Sequence, residues 1–308
     1  MLADSAGQRK LSAAAAGDWA RYWRSPTQPL EAMHAHFSAH VYHRHSHETY
    51  SFGVTETGAQ TFGCRGVQHV SAAGMVMAFN PDDPHDGHSA TAGGFTYRMV
   101  HIGPGLMSEV MADVAGRDRG LPLFGDPVLG DQRLAARVRA LHAALTGQGS
   151  GLEVYERLTE AVRGLDRHAA RPDGQPRRDP AIAGPAGRVR AYLHDCYASQ
   201  VSAGDLARAA GSSRYAAYRA FRAAYGLAPS DYQRQLRLRA ARRLLAQGVP
   251  AAEIAASVGF ADQAHLTRWF RRYYGITPGE YRTWGPARPR TGKEGLSRIA
   301  CCPAGWPG

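Results

Sequence analysis

The sequence predicts an α+β chain, with an N-terminal β-barrel and its accessory helices followed by a C-terminal all-α domain. Three observations predict it. Short apolar runs broken by Gly, Asp, Asn and Pro fill residues 33–103, two helical stripes follow, and the pattern beyond residue 187 is helical and repeats itself. A chain of 308 residues is long enough for about two such domains.

Taken in order, the runs at 50–54, 74–79 and 95–102 have strand length and turn residues at their ends, and Cys64-Arg65-Gly66 reads as a hairpin turn. Leu134, Val138, Leu141 and Leu145 then recur at helical spacing, as do Leu152, Tyr155, Leu158, Val162 and Leu165. Asp131 and Gly151 mark the starts of these two helices. Their apolar stripes suit packing onto the barrel and a dimer interface equally well. The segment RPDGQPRRDPAIAGPAG is rich in Pro and Gly and reads as a linker. The expected division is therefore a domain over 30–170, a linker over 171–186, a helical domain over 187–284 and a disordered tail over 285–308.

Charge separates the two halves. Residues 181–308 hold 19 Arg and Lys against 7 Asp and Glu, whereas residues 1–180 hold 18 against 19, so the net +11 resides entirely in the second half. A polyanion partner is expected there. No apolar run approaches the roughly 20 residues that cross a bilayer, so a cytoplasmic protein without a membrane partner is expected. Four cysteines without metal-type spacing agree with that compartment.

The basic half is duplicated. Residues 206–211 match 254–259 at a shift of 48, and Arg219, Phe221, Arg222, Tyr225, Gly226, Pro229 and Tyr232 match Arg268, Phe270, Arg271, Tyr274, Gly275, Pro278 and Tyr281 at 49. Each copy reads as helix, tight turn, helix. Asp205 and Glu253 lie in the first turns of the opening helices, Pro250 suits a first helical position, and Gly211 and Gly259 end them. Ser212 or Ser213 and Asp262 are N-cap types for the second helices. That layout is a helix-turn-helix, whose second helix can enter a DNA major groove. In the first copy Ala217, Phe221 and Ala224 fall inward, leaving Arg214, Tyr215, Tyr218, Arg219 and Arg222 outward. In the second, Leu266, Trp269, Phe270 and Tyr273 fall inward, leaving Gln263, His265, Thr267, Arg268, Arg271 and Arg272 outward. Arg pairs with guanine and Gln with adenine, and further Arg holds phosphate. Residues 229–247, studded with Arg234, Arg237, Arg239, Arg242 and Arg243, read as one connecting helix of roughly 25–29 Å. Such a spacer suits two reading helices near the ~34 Å of one DNA turn.

The block 187–284, most specifically LAAGVPAAEIAASVGFADQAHLTRWFRRYYGITPGEYR, resembles the double helix-turn-helix domain of AraC/XylS-type transcription regulators. The resemblance implies base-facing roles for Tyr215, Tyr218 and Arg219 in one unit, and for Gln263, His265, Thr267 and Arg268 in the other. It implies double-stranded DNA as partner and a cupin-like effector-binding and dimerisation module at the N-terminus. RNA polymerase and a second copy of the chain are further partners of such a regulator.

Ten of the fourteen histidines lie between His34 and His101. His43, His45 and His47 alternate, which on a strand puts them on one face, and His85 follows Pro84. His-x-His with a later His has the donor chemistry of a metal triad. The match to metal-binding cupins is partial, because Ser51 and Phe52 stand where that pattern has glutamate. The expectation is a small-molecule effector pocket lined by His45, His47, Tyr50 and His85, with no metal and no cofactor. A Walker loop, a dinucleotide GxGxxG, a GxSxG elbow and an HExxH helix are all absent, and no catalytic residue is assigned. The sequence-specific regulator is thus the expected function; the alternative is a cupin-type metal enzyme fused to a DNA-binding domain.

Overall fold

A computed structural model describes residues 17–118, 120–147, 149–170 and 184–283. The N-terminal part builds two antiparallel sheets that pack face to face rather than closing into one continuous barrel. The larger sheet contains β1 (Trp19–Arg24), β2 (Leu30–Phe37), β4 (Tyr50–Thr57), β7 (Val76–Phe79), β9 (Phe95–Ile102) and β11 (Val128–Leu129), in the order β1-β2-β9-β4-β7-β11. The smaller contains β3 (Tyr42–His45), β5 (Ala59–Cys64), β6 (Val67–Ala72) and β8 (His85–Ser89), in the order β3-β8-β5-β6. A short pair, β10 (Leu123–Phe124) and β12 (Ala169–Ala170), lies apart. Arg65 and Gly66 both have positive φ, 51° and 81°, so β5 and β6 are joined by a two-residue turn matching the strand twist. β1 lies before the boundary expected at residue 30 and pairs along its whole length with β2.

Three helices cover the outer face of the large sheet. They are α1 (Pro104–Ala115), α2 (Gln132–Thr146) and α3 (Gly151–Asp166). Asp131 caps α2 through the Arg133 and Leu134 amides, and Ser150 caps α3. Leu134, Val138, Leu141, Leu158, Val162 and Leu165 are buried with Tyr50, Phe52 and Val54 of β4. These stripes therefore pack onto their own sheet, the first of the two uses expected for them, although Leu152 stays 69% exposed.

The linker expected at 171–186 lies mostly outside the described residues, as does the tail at 285–308. The helical domain contains α4 (Pro185–Asp195), α5 (Ala203–Ala210), α6 (Arg214–Tyr225), α7 (Pro229–Ala246), α8 (Ala251–Ser257), α9 (Gln263–Tyr274) and α10 (Pro278–Thr283). Its punctuation follows local rules. Ser202 and Asp205 form a capping box on α5, Ser213 caps α6, Asp262 caps α9, and Gly211, Gly226 and Gly275 end helices in the left-handed region. Pro250 is the N-cap of α8 rather than its first helical residue.

The two domains share one hydrophobic core, in which Phe37, Phe62 and Met99 of the sheets are buried together with Leu238, Phe270, Tyr273 and Tyr274. Tyr22 Oη donates to the Tyr274 carbonyl at 2.9 Å across that seam. The arginines of α7 take part in it: Arg239 meets Asp82 at 3.0 Å, Arg242 meets Glu31 at 3.2 Å and Arg243 meets Glu48 at 3.3 Å. Part of the basic excess thus holds the N-terminal domain rather than facing outward. Among the described residues no helix is long and apolar enough to cross a membrane.

Candidate sensor cavity and nucleic-acid interface

Four histidines converge between the sheets. β3 ends at His45, the loop after it carries His47, β8 opens with His85, and β9 carries His101. Ring centroids lie 4.5 Å apart for His45 and His85, 4.9 Å for His45 and His47, 5.1 Å for His47 and His85, and 5.0 Å for His47 and His101. His45 Nδ1 donates to the His43 carbonyl at 2.7 Å, and His85 Nδ1 donates to the Asp83 carbonyl at 2.9 Å. A carbonyl can only accept, so both rings carry the proton on Nδ1 and present a bare Nε2. His101 Nδ1 is bonded to Ser51 Oγ at 2.8 Å. Burial disfavours the imidazolium throughout. It holds His45 and His47 well below the usual histidine value, His85 at about 4 and His101 at about 3. All four are neutral at pH 7.

The roof of this cavity comes from the helical domain. Arg242 of α7 and Tyr273 and Tyr274 of α9 line it beside the histidines, Tyr22, Tyr42, Tyr97 and Asp86. The cavity volume is about 40 Å³, room for a few waters at roughly 10–15 Å³ each.

Alternation along β3 puts His43, His45 and His47 on one face only if the strand stays regular. Its register against β8 shifts between Tyr42 and His45, and an irregularity of this kind redirects side chains. His43 stacks on Tyr273 of α9, with ring centroids 5.4 Å apart and planes at 15°, and is not among the residues lining the cavity. Tyr50 also departs from expectation. It is 1% exposed in the core between β4 and the helices, and its hydroxyl donates to the Pro122 carbonyl at 2.8 Å. The cavity-side role at this end of β4 belongs to its neighbour Ser51, which pairs with His101. The reading from sequence missed His101, Ser51, Arg242, Tyr273 and Tyr274.

On α6, Arg214, Tyr215, Tyr218, Arg219 and Arg222 are exposed, while Ala217 and Phe221 are buried. Ala224, expected inside, is exposed. The Arg219 guanidinium lies 5.5 Å from the Tyr215 ring centroid, so the two form one stacked surface. On α9, Gln263, Arg268, Arg271 and Arg272 are exposed, Thr267 is half-buried, and Leu266, Phe270 and Tyr273 are buried. His265 is half-buried and its Nε2 accepts the Trp269 indole N–H at 3.0 Å. That nitrogen is therefore engaged within the helix rather than offered outward. A groove of about 740 Å³ runs along Gln263, Thr267, Arg268, Arg271 and Arg272, with His40 and Val41 of the sensor on its other side.

Residues 28–162 match the family described as AraC-like ligand binding domain, and residues 206–283 match a helix-turn-helix domain family. The chain belongs to the AraC-type transcriptional regulators. This regulator is 28% identical over 225 residues to the HTH-type transcriptional regulator YbfI of Bacillus subtilis, covering 72% of this chain and 80% of that one. It is 31% identical to an AraC-like transcription regulator of Streptomyces antibioticus, over 51% of this chain and 48% of the other. The crystal structure of ToxT from Vibrio cholerae O395 superposes with a TM-score of 0.52 at 9% identity, over 86% of this chain and 97% of ToxT. At that identity the likeness is one of fold. The regulator therefore joins a ligand-binding domain to a DNA-binding helix-turn-helix domain, and its residues show how closely the two are pressed together.

Proposed function

We propose that this regulator reads two neighbouring major-groove segments with α6 and α9, and that a small effector in the histidine cavity sets how firmly the DNA-binding domain is held to the sensor. One observation carries the second part: the cavity wall mixes sensor histidines with Arg242, Tyr273 and Tyr274 of the DNA-binding domain. Pockets for drug-sized ligands run to roughly 300–1,000 Å³, against about 40 Å³ here. A molecule larger than a few waters needs the cavity to widen, and in this reading α7 and α9, which carry Arg242, Tyr273 and Tyr274, lift away to admit it. Such a ligand has different affinities for the held and released arrangements, which is the condition for shifting their populations.

The groove beside α9 supports the same reading. His40 and Val41 line the same groove as Gln263 and Arg268, so in this reading a firmly held sensor competes with DNA for the space beside the second reading helix. One ToxT structure holds an unsaturated fatty acid; imidazoles and a guanidinium line the space here, and an acyl chain is not carried over as the effector. In this reading the protein acts by binding rather than catalysis, in the cytoplasm, with two chains pairing on an operator and meeting RNA polymerase there.

Selection from a random duplex library with the full-length protein, at near-physiological salt, tests the reading. The expected result is enrichment of two short blocks about one helical turn, ~34 Å, apart. Two such pairs per site indicate a dimer. Equal retention of all sequences, with a steep salt dependence, would leave only charge-driven binding.

A further inference from the structure

We propose that His45, His47 and His85 form a binding site for one divalent transition-metal ion of the zinc class. The proposal deepens the sensor reading by naming a ligand for its cavity, but the coordination rests on geometry alone.

The three rings each offer a ligand nitrogen, and these nitrogens all lie within 4.8 Å of one another. A tetrahedral zinc ion with Zn–N bonds of 2.0–2.1 Å spaces its ligands by roughly 3.3–3.4 Å. The rings therefore need only a small contraction onto an ion. Two of them are already fixed for it. The His43 and Asp83 carbonyls take the Nδ1 protons of His45 and His85, which is how ligating histidines are held in the right tautomer and orientation. These partners are backbone groups, so the orientation is built into β3 and the turn before β8. Phe79 stacks on His85 with ring centroids 3.9 Å apart and further restrains its ring.

The surroundings suit an ion better than an organic molecule. The space of about 40 Å³ has room for an ion and a water, and contraction of His45 onto the ion alters its contact with Tyr273 of the roof, 6.0 Å away between ring centroids. A buried dication needs nearby negative charge. The Asp86 carboxylate lines the cavity, where it is shared with Arg44 at 3.8 Å, and the guanidinium that lines the cavity, Arg242, is paired with Glu31 at 3.2 Å. The glutamate absent from the sequence pattern does not leave a gap: Ser51 stands near that position and holds His101, whose ring packs 5.0 Å from His47. An all-imidazole donor set selects zinc, cobalt, nickel, copper or iron(II) and disfavours the hard ions magnesium and calcium.

The experiment titrates the metal-free, full-length chain with Co²⁺ as a spectroscopic probe, then with Zn²⁺ as competitor and Mg²⁺ as control. One Co²⁺ per chain is expected, with visible absorption that Zn²⁺ abolishes and Mg²⁺ leaves unchanged. His47→Gln and His85→Gln should each weaken binding by at least about tenfold, whereas His88→Ala, at an exposed position, should not change it. Near-ultraviolet circular dichroism confirms that each variant is folded; where one is not, the stoichiometry and Co²⁺ spectrum of the unaltered chain decide. No binding at equimolar protein and metal overturns the proposal. So does binding that survives both glutamine variants, which would be capture by surface histidines. The same samples assayed on the selected DNA address the sensor reading separately: unchanged DNA affinity with Zn²⁺ bound counts against effector coupling, not against the site.

Discussion

Ser46 and Gln235 close a reciprocal pair of hydrogen bonds across the domain seam. The Ser46 amide donates to Gln235 Oε1 at 3.0 Å, and Gln235 Nε2 donates to Ser46 Oγ at 2.7 Å. Both residues are buried, and Ser46 sits between His45 and His47. Gln235→Leu keeps the bulk of the side chain but strands the Ser46 amide. An unsatisfied buried donor costs about 1–3 kcal/mol, so the expected outcome is a seam weakened by that amount. Protease sensitivity between the domains should rise while each domain keeps its own cooperative melt.

Asp82 receives Arg239 at 3.0 Å and Arg190 at 3.1 Å. Its backbone has a φ of 61°, a conformation that Asn also tolerates. Asp82→Asn therefore removes the charge without straining the turn. Breaking a fully buried pair costs roughly 3–5 kcal/mol. Asp82 is 32% exposed, whereas Arg239 is only 8% exposed, so a smaller loss of about 1–2 kcal/mol is expected after screening. If the sensor restrains α9, this variant binds its selected DNA more tightly than the parent in a fluorescence anisotropy titration. Weaker binding would mean that the seam supports the DNA-binding form.

Arg268 and His265 should separate in a base-preference assay. Arg268→Ala is expected to cost about 1–3 kcal/mol on the selected site and to relax preference at one base pair. His265→Ala removes the acceptor of the Trp269 indole N–H, so its loss should be similar on all base variants of the site. A base-specific loss for His265 would return it to the reading set.

His142 gives a pH prediction at a group remote from the cavity. It is 1% exposed, its Nε2 donates to the Met33 carbonyl at 3.1 Å, and burial, then Arg98, holds it at about 4. The folded value lies below the unfolded one, so the neutral form's stability contribution is fully present above pH ~6.5 and is lost as pH falls toward 4. Across that window the slope is about 1.4 kcal/mol per pH unit for this one proton. Urea unfolding of His142→Gln between pH 7 and 5 should show a shallower slope by that amount. An unchanged slope would mean that His142 binds its proton equally in both states.

The helical domain was legible because its signals are local. The capping box at Ser202 and Asp205 and the glycines after α6 and α9 each act within a few residues of chain, and the 49-residue shift repeats such local signals in a second copy. The seam was not legible, because Arg239 and Arg242 look in sequence like the arginines of α6. Only the fold tells an arginine facing Asp82 or Glu31 from one facing solvent. Tyr50 was assigned to the wrong side because residues 50–55 are all buried. A strand covered on both faces carries no alternation from which to read direction. His101 escaped notice because it lies far along the chain from the His45–His47 run and meets it only through the pairing of β9 with β4.

Gly226 and Gly275 occupy the same place in the two copies, and both touch the sensor. A methyl group on Gly275 would stand 2.6 Å from Phe37 Cζ, and one on Gly226 would stand 3.1 Å from Pro84 Cγ; Arg44 Nε also donates to the Gly226 carbonyl at 3.2 Å. The N-terminal domain thus grips each DNA-reading unit at its trailing end. A tilt of that domain would act on the two units through different contacts, Pro84 and Arg44 on one and Phe37 on the other. With base pairs rising ~3.4 Å along the duplex, such a movement is written as a preferred number of base pairs between half-sites. If the proposed reading by α6 and α9 holds, operators that differ only in their spacers should then be told apart by the tilt of the N-terminal domain.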